Sequence, residues 1–173
     1  MQFGYTIPLQ KHQNIKTLPY GKPADLRFCW EVHILTILRH RAVLAANASS
    51  RYAVFLYNVK GTDWKHLPEL VTEGIRTAFS LEGLSALEIN RYFALAGPVE
   101  ITKTHGRKPV SGLNRAVEYL RLVCPPLDME TQYQALAGRG MNEELCHAAG
   151  YTDYGTPREF LWKDFETLRS QPL

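Results

Sequence analysis

Between residues 33 and 59 the chain strings together three apolar, β-favouring runs separated by short polar turns. The first follows His33, the second is Ala42-Val43-Leu44-Ala45-Ala46-Asn47, and the third runs from Tyr52 to Val59. Their punctuation is a basic turn, Arg39-His40-Arg41, and a small polar turn around Ser49 and Ser50. Strands rich in Ile, Val, Leu, Phe and Tyr with polar breaks predict an antiparallel meander, entered through Phe28, Cys29 and Trp30. Leu26, Trp30, His33, Ile34 and Ile37 also fit a helical stripe, so a helix over residues 24–38 is the alternative. Ile and Thr enrichment from His33 onward favours strand. A loose alternation over residues 3–9 predicts one more short strand, with Pro8 suggesting an edge or a strand end. Residues 11–22 are polar and dotted with lysine, and with Pro19, Gly21 and Pro23 they read as a loop.

From Leu67 the period changes. Leu67, Leu70, Val71, Ile75, Ala78 and Phe79 recur at helical spacing, with Pro68 in the first turn and Gly83 at the end. A second helix starts at Ser85, an N-cap, and stops at Gly97-Pro98. Residues 99–104 alternate again and predict a strand with one wet face. A basic turn, His105 to Pro109, leads to a third helix over residues 112–123 with Ser111 as N-cap, and Pro125-Pro126 ends it. The tail carries short helical stretches near residues 129–137 and 142–149. Thr156-Pro157-Arg158-Glu159 then has the spacing of a capping box that opens a last helix. The fold class expected is α+β: an antiparallel sheet of about four to five strands with helices packed on one face. The division expected is an α+β domain over residues 1–124 and a helical C-terminal extension over residues 125–173.

Composition narrows the picture only a little. The 173 residues are 45% hydrophobic, enough for a real core, and the formal charge of +3 makes the chain mildly basic. That charge permits contact with nucleic acid and falls short of implying it. Three cysteines, Cys29, Cys124 and Cys146, have no spacing for zinc or redox chemistry, and their odd number fits a reducing cytoplasm. No signal peptide and no apolar run of roughly 20 residues is visible, so the expectation is a soluble, cytoplasmic protein without a membrane partner. The six histidines never fall at i, i+4 or as His-x-His, so no metal site is expected. No nucleotide-binding or nucleophile motif occurs, and no cofactor and no catalytic residue is assigned.

Several local patterns do converge. Trp30, the β-like run to Leu38, the Arg39–His40–Arg41 turn, Asn47 before a small turn and the run from Tyr52 to Val59 come in order. Lys103-Thr104-x-x-Arg107 and Ser111-Gly112-Leu113-Asn114 follow the helical pair. Together these residues resemble an uncharacterised family of small bacterial proteins, classified only as a domain of unknown function. In that family a basic turn precedes a strand ending in Asn, and a later Lys-Thr-x-x-Arg-Ser segment leads into Gly-x-x-Asn. The resemblance spans residues 3–120 and leaves the tail unmatched. It implies motif positions at Arg39, Arg41, Asn47, Lys103, Thr104, Arg107, Ser111, Gly112 and Asn114, and it implies no reaction. Lys108-Pro109 departs from the Ser expected after Arg107.

The candidate chemistry is anion binding. Arg107 and the amides at Ser111 and Gly112, helped by Lys103, combine a basic strand end with a helix start, where free N–H groups and the dipole favour negative charge. Arg39, His40 and Arg41 form a secondary basic cluster, whose plain reading is a solvated turn. Lys103, His105 and Arg107 would form one anion site with it only if both clusters lie at the same end of the sheet. Asn47 reads first as a turn residue bonding its own backbone, and Asn114 as a first-turn helix residue. The leading functional reading is a non-catalytic interaction or regulatory module with a protein partner. One alternative is a nucleic-acid-associated protein using Arg39, Arg41, Lys103 and Arg107. The other is an enzyme acting on a phosphorylated small molecule at the turn formed by residues 107–114.

Overall fold

The meander is present as predicted. In the computed structural model, which describes residues 1–22 and 24–171, strands β2 (Cys29–Ile37), β3 (His40–Asn47) and β4 (Ala53–Leu56) pair antiparallel in sequence order. Pro23, assigned above to a loop, lies outside the described residues, as do residues 172–173. Ile37 pairs with His40, so the turn between β2 and β3 is the two residues Leu38 and Arg39, both at positive φ. A two-residue hairpin with φ above zero at both positions matches the right-handed twist of its strands. His40 and Arg41 therefore open β3 instead of belonging to the turn.

The sheet is mixed, not purely antiparallel. Strand β1 (Gln2–Tyr5) lies between β2 and β5 (Glu100–Lys103) and runs parallel to both, giving the order β4-β3-β2-β1-β5. The first strand is thus interior, with all four residues buried. Pro8 sits instead in the first turn of a short helix, α1 (Ile7–His12), where its missing N–H leaves nothing unpaired. Parallel neighbours need crossovers, and α1 with its following loop supplies the one from β1 to β2.

Helices cover both faces of the sheet, where one covered face was expected. Phe3, Tyr5, Trp30, Val32, Val43 and Val54 point to one side and meet α2 (Leu67–Leu81), α3 (Ala86–Ala96) and α6 (Pro157–Arg169). Phe79 sits at the centre of this core, with Tyr92 and Phe165 each 5.1 Å away in edge-to-face contact. Leu35, Leu44, Ala46 and Phe55 point to the other side and meet α4 (Arg107–Val123) and α5 (Ala135–Asn142). The residues that alternate with one apolar set on β3 and β4 are themselves apolar, and such strands need cover on both sides.

The capping box of α6 (Thr156, Glu159) forms as read from the sequence, and Ser85, read as an N-cap, forms a full capping box with Glu88 at the start of α3. Helix α4 begins five residues earlier than predicted. Its N-cap is Gly106 at φ 110°, and Pro109 occupies the first turn, where proline is tolerated. Ser111 is consequently not a cap but a second-turn residue. In the tail, one helix, α5, replaces the two predicted stretches.

Candidate functional site

Asn47 is a turn residue, and a thorough one. Its Oδ1 accepts from the amides of Ser49 (3.0 Å) and Ser50 (3.1 Å), and its Nδ2 donates to the Arg27 carbonyl at 2.9 Å. These bonds close the link between β3 and β4, tie it to the start of β2 and deliver Arg51 at φ 63°.

The two basic clusters do not meet. Lys103 pairs at the level of Tyr5 and Val32, five residues short of the hairpin end at Ile37, and β5 is separated from β3 by two strands. With strands about 4.8 Å apart and a rise of about 3.3 Å per residue, the clusters stand on the order of 20 Å apart. Arg39, His40 and Arg41 are exposed, and Arg41 Nη1 donates to Thr36 Oγ1 at 2.9 Å. Lys103 holds its Nζ 4.0 Å over the Tyr20 ring.

His105, read as part of an open cluster, is instead turned into the protein. Residues 104–106 fold back over β1, and the His105 amide and Nδ1 donate to Glu31 Oε1 at 2.8 and 2.9 Å. Nε2 lies 3.0 Å from Gln2 Oε1. Burial alone would push the imidazole pKa down, but the Cys29 sulfur and the Glu31 carboxylate beside it outweigh this and raise it to about 9. At neutral pH the imidazole is therefore protonated. Glu31 is fully buried, and its Oε2 has no partner among the described residues. Gly4 makes room for the arrangement: a Cβ there would stand 2.5 Å from Glu31 Oε2 and 2.9 Å from the Thr104 Cα. Glu31 escaped the sequence reading, although an acid between Trp30 and Val32 in an apolar strand was a visible signal.

What the fold brings together is the outer surface of α4. Arg107, Ser111 and Asn114 stand at i, i+4 and i+7, all exposed, and with Arg115 and Arg121 they line an open cleft of about 700 Å³. Its only acid among the described lining residues, Glu118, accepts from Arg115 Nη1 at 3.0 Å. Gly112 faces the other way and is buried against the Arg51 side chain, where a Cβ would stand 2.7 Å from Cγ. The amides of Ser111 and Gly112 lie beyond the first turn, where an α-helix already uses them. On this second flank a narrower cleft of about 240 Å³ runs between α4 and α5, lined by Arg51, Tyr119, Met141, Leu145 and Cys146. Both clefts share Arg115, Glu118 and Leu122. Leu122 and Leu145 are 77% and 70% exposed.

A separate polar network ties α6 to the rest. Asp164 is buried, and its Oδ1 accepts from Ser49 Oγ at 3.2 Å and from the Tyr151 hydroxyl at 2.7 Å. Burial pushes its carboxyl up to about 6, against the pull of those donors and of Arg27. A raised carboxyl pKa means that the folded state holds the proton more tightly, so this contribution is fully present below about 3.8 and is lost as pH rises through about 6. Asp164→Asn, which keeps an oxygen acceptor and cannot ionise, is expected to flatten that slope. In urea melts from about pH 4 to about pH 7 the native protein should lose on the order of 2 kcal/mol relative to the variant. A native stability that rises relative to the variant over that window contradicts this account.

Among the described residues no helix is long and apolar enough to cross a membrane. No group of three or more His, Cys, Asp or Glu among them is placed to hold a metal ion. The class defined so far is an α+β domain with a five-stranded mixed sheet and a basic helix face laid over one side. Over residues 2–160 the chain matches a family described as Domain of unknown function (DUF6933), and it belongs to that family. The match extends well past residue 120, where the resemblance seen in the sequence stopped, and takes in α5 and the start of α6. No curated protein and no solved structure matches the chain.

Proposed function

We propose that the protein is a non-catalytic interaction module that docks an acidic segment of a partner protein along the exposed face of α4. The observation that carries this reading is the cleft lined by Arg107, Ser111, Asn114, Arg115 and Arg121, in which Glu118 is already engaged by Arg115. Arg107 and Arg121 are left to face a partner, and exposed Leu122 at the end of the same cleft offers an apolar contact. Three arginines on one helix face suit carboxylates, which guanidinium forks bind in two-point fashion. The expected anion-binding residues enter this reading in altered form, with Arg107 and Ser111 as members of a helix face. The separation of the two basic clusters speaks against a continuous track for nucleic acid, which is the competing reading.

The test uses a fluorescein-labelled peptide alternating Glu and Leu, read by anisotropy, beside duplex and single-stranded oligonucleotides. The peptide is expected to bind, more weakly as salt rises. The double reversal Arg107→Glu with Arg121→Glu should weaken it about tenfold, as two exposed ion-pair sites inverted together imply. Arg39→Glu with Arg41→Glu should leave it unchanged. All four positions are exposed, so the fold should survive either pair, which circular dichroism checks. The reading fails if the α4 reversal leaves peptide binding intact, or if it abolishes oligonucleotide binding while the peptide never binds.

A further inference from the structure

Arg51 holds an unusual position that the α4 docking surface does not explain. Its Nε is buried and has no hydrogen-bond partner among the described residues. The side chain is held on both sides: the Asn47 turn sets its left-handed backbone, and the absence of a side chain at Gly112 lets its stem lie against α4. The residue lines the narrow cleft between α4 and α5. Its near neighbour there is the Cys146 thiol, whose pKa burial pushes up, so that at neutral pH it offers the arginine no negative charge. The lining is mixed: buried Met141, exposed Leu145 and Leu122 supply apolar surface, and Arg115 is a second cation among them. The acid Glu144 also lines the cleft but is exposed, and Glu118 is taken by Arg115.

A cationic fork in one cleft with exposed and buried apolar side chains suits one negative charge on a hydrocarbon body. We infer that this cleft binds a carboxylate attached to an apolar group, with the carboxylate on Arg51 and the hydrocarbon against Met141 and Leu145. The cleft's 240 Å³ equals about eight water volumes of about 30 Å³ each, the scale of a six-carbon acid or of one apolar side chain. The chemistry is the same for a free short-chain acid and for the terminal carboxylate of a chain ending in an apolar residue. The two clefts share Arg115, Glu118 and Leu122, but Arg51, Met141 and Leu145 line only this one and Arg107 and Arg121 only the other.

Hexanoate titrated into the ¹⁵N-labelled full chain, read at the Arg51 Nε–H and the Gly112 amide, tests it. Saturable shifts at both are expected, with a Kd of about 1 mM or tighter. Hexanol, with the same body and no charge, should leave the Arg51 signal in place. Read at Gly112, Arg51→Gln should weaken hexanoate binding about tenfold or more. Leu145→Ala, at an exposed position, should weaken it by a few fold without touching the fold. Arg107→Glu with Arg121→Glu should leave it alone, which separates this site from the docking face. A short peptide ending in Leu then identifies the source. If its free-acid form displaces hexanoate and its amidated form does not, the ligand is a chain terminus; if neither does while hexanoate binds, it is a free acid. No saturable Arg51 shift up to about ten times the expected Kd, or an equal shift with hexanol, overturns the proposal.

Discussion

Glu31→Ala is expected to cost about 3–5 kcal/mol, because it leaves a buried positive charge without its partner. Glu31 has no exposed surface and accepts two hydrogen bonds from His105, one from the backbone and one from the ring. The substitution strips both and leaves the residue 104–106 turn without its anchor on β2. Glu31→Gln keeps an oxygen in place for both donors and should cost less. The pH dependence follows from the imidazole. Its pKa is raised to about 9 in the folded chain, so its stabilising contribution is fully present below about 6.5 and is lost as pH rises through about 9. Urea midpoints at about pH 7 and about pH 10 should therefore show the native protein weakening more than Glu31→Gln does. A Glu31→Ala chain as stable as the native one would mean that the pair contributes nothing.

Ending the chain after Cys124 is expected to prevent folding altogether. Helix α6 puts Leu161, Phe165 and Leu168 into one core and buries Phe160 against Tyr151, each of the four at most 2% exposed. Burying four such side chains contributes roughly 6–12 kcal/mol at about 1.5–3 kcal/mol each, comparable to the roughly 5–15 kcal/mol that holds a typical domain together. Met141 and Ala137 of α5 leave the other core at the same time. Residues 132–134 also pair with β4, through Tyr57 N to the Gln132 carbonyl at 2.7 Å and Gln134 N to the Phe55 carbonyl at 3.0 Å. The shortened chain should give an amide NMR spectrum without dispersion. In the full chain, Phe165→Ala should still fold while losing about 3–5 kcal/mol. A well-dispersed spectrum from residues 1–124 would show that the extension is dispensable, and the packing argument would fall.

The local parts of this fold were legible in the sequence, and the parts decided at long range were not. The three runs between His33 and Val59 sit beside one another with short turns, so adjacency alone orders them. Ser85 with Glu88 and Thr156 with Glu159 are complete within four residues. Strand β1 is another matter: alternation over four residues says nothing about whether its partners lie 27 or 98 positions away, or in which direction they run. Pro109 hid the first turn of α4 by looking like a break, although Gly106 just before it can adopt the positive φ that a chain entering the helix needs here. Of the site, Arg107, Ser111 and Asn114 were singled out from the sequence as a basic turn and a helix start, not as one helix face, and Gly112 stood out without its reason. That reason is Arg51, which in sequence is an ordinary residue after Ser49 and Ser50. Only the folded chain sets it against Gly112.

The interior place of β1 has a consequence during synthesis. As the chain leaves the ribosome, β2, β3 and β4 can zip together from neighbouring residues, and β1 can add to them as soon as Val32 is out. Its far side must wait for Lys103, the register partner of Tyr5. From Val32 to Lys103, at about 5–20 residues per second, that wait lasts roughly 4–14 s. Throughout it, the growing sheet ends in a bare row of N–H and C=O groups on a strand carrying Phe3 and Tyr5, the kind of edge that recruits other strands. That open edge belongs to the nascent chain alone, since in the finished sheet β5 covers it.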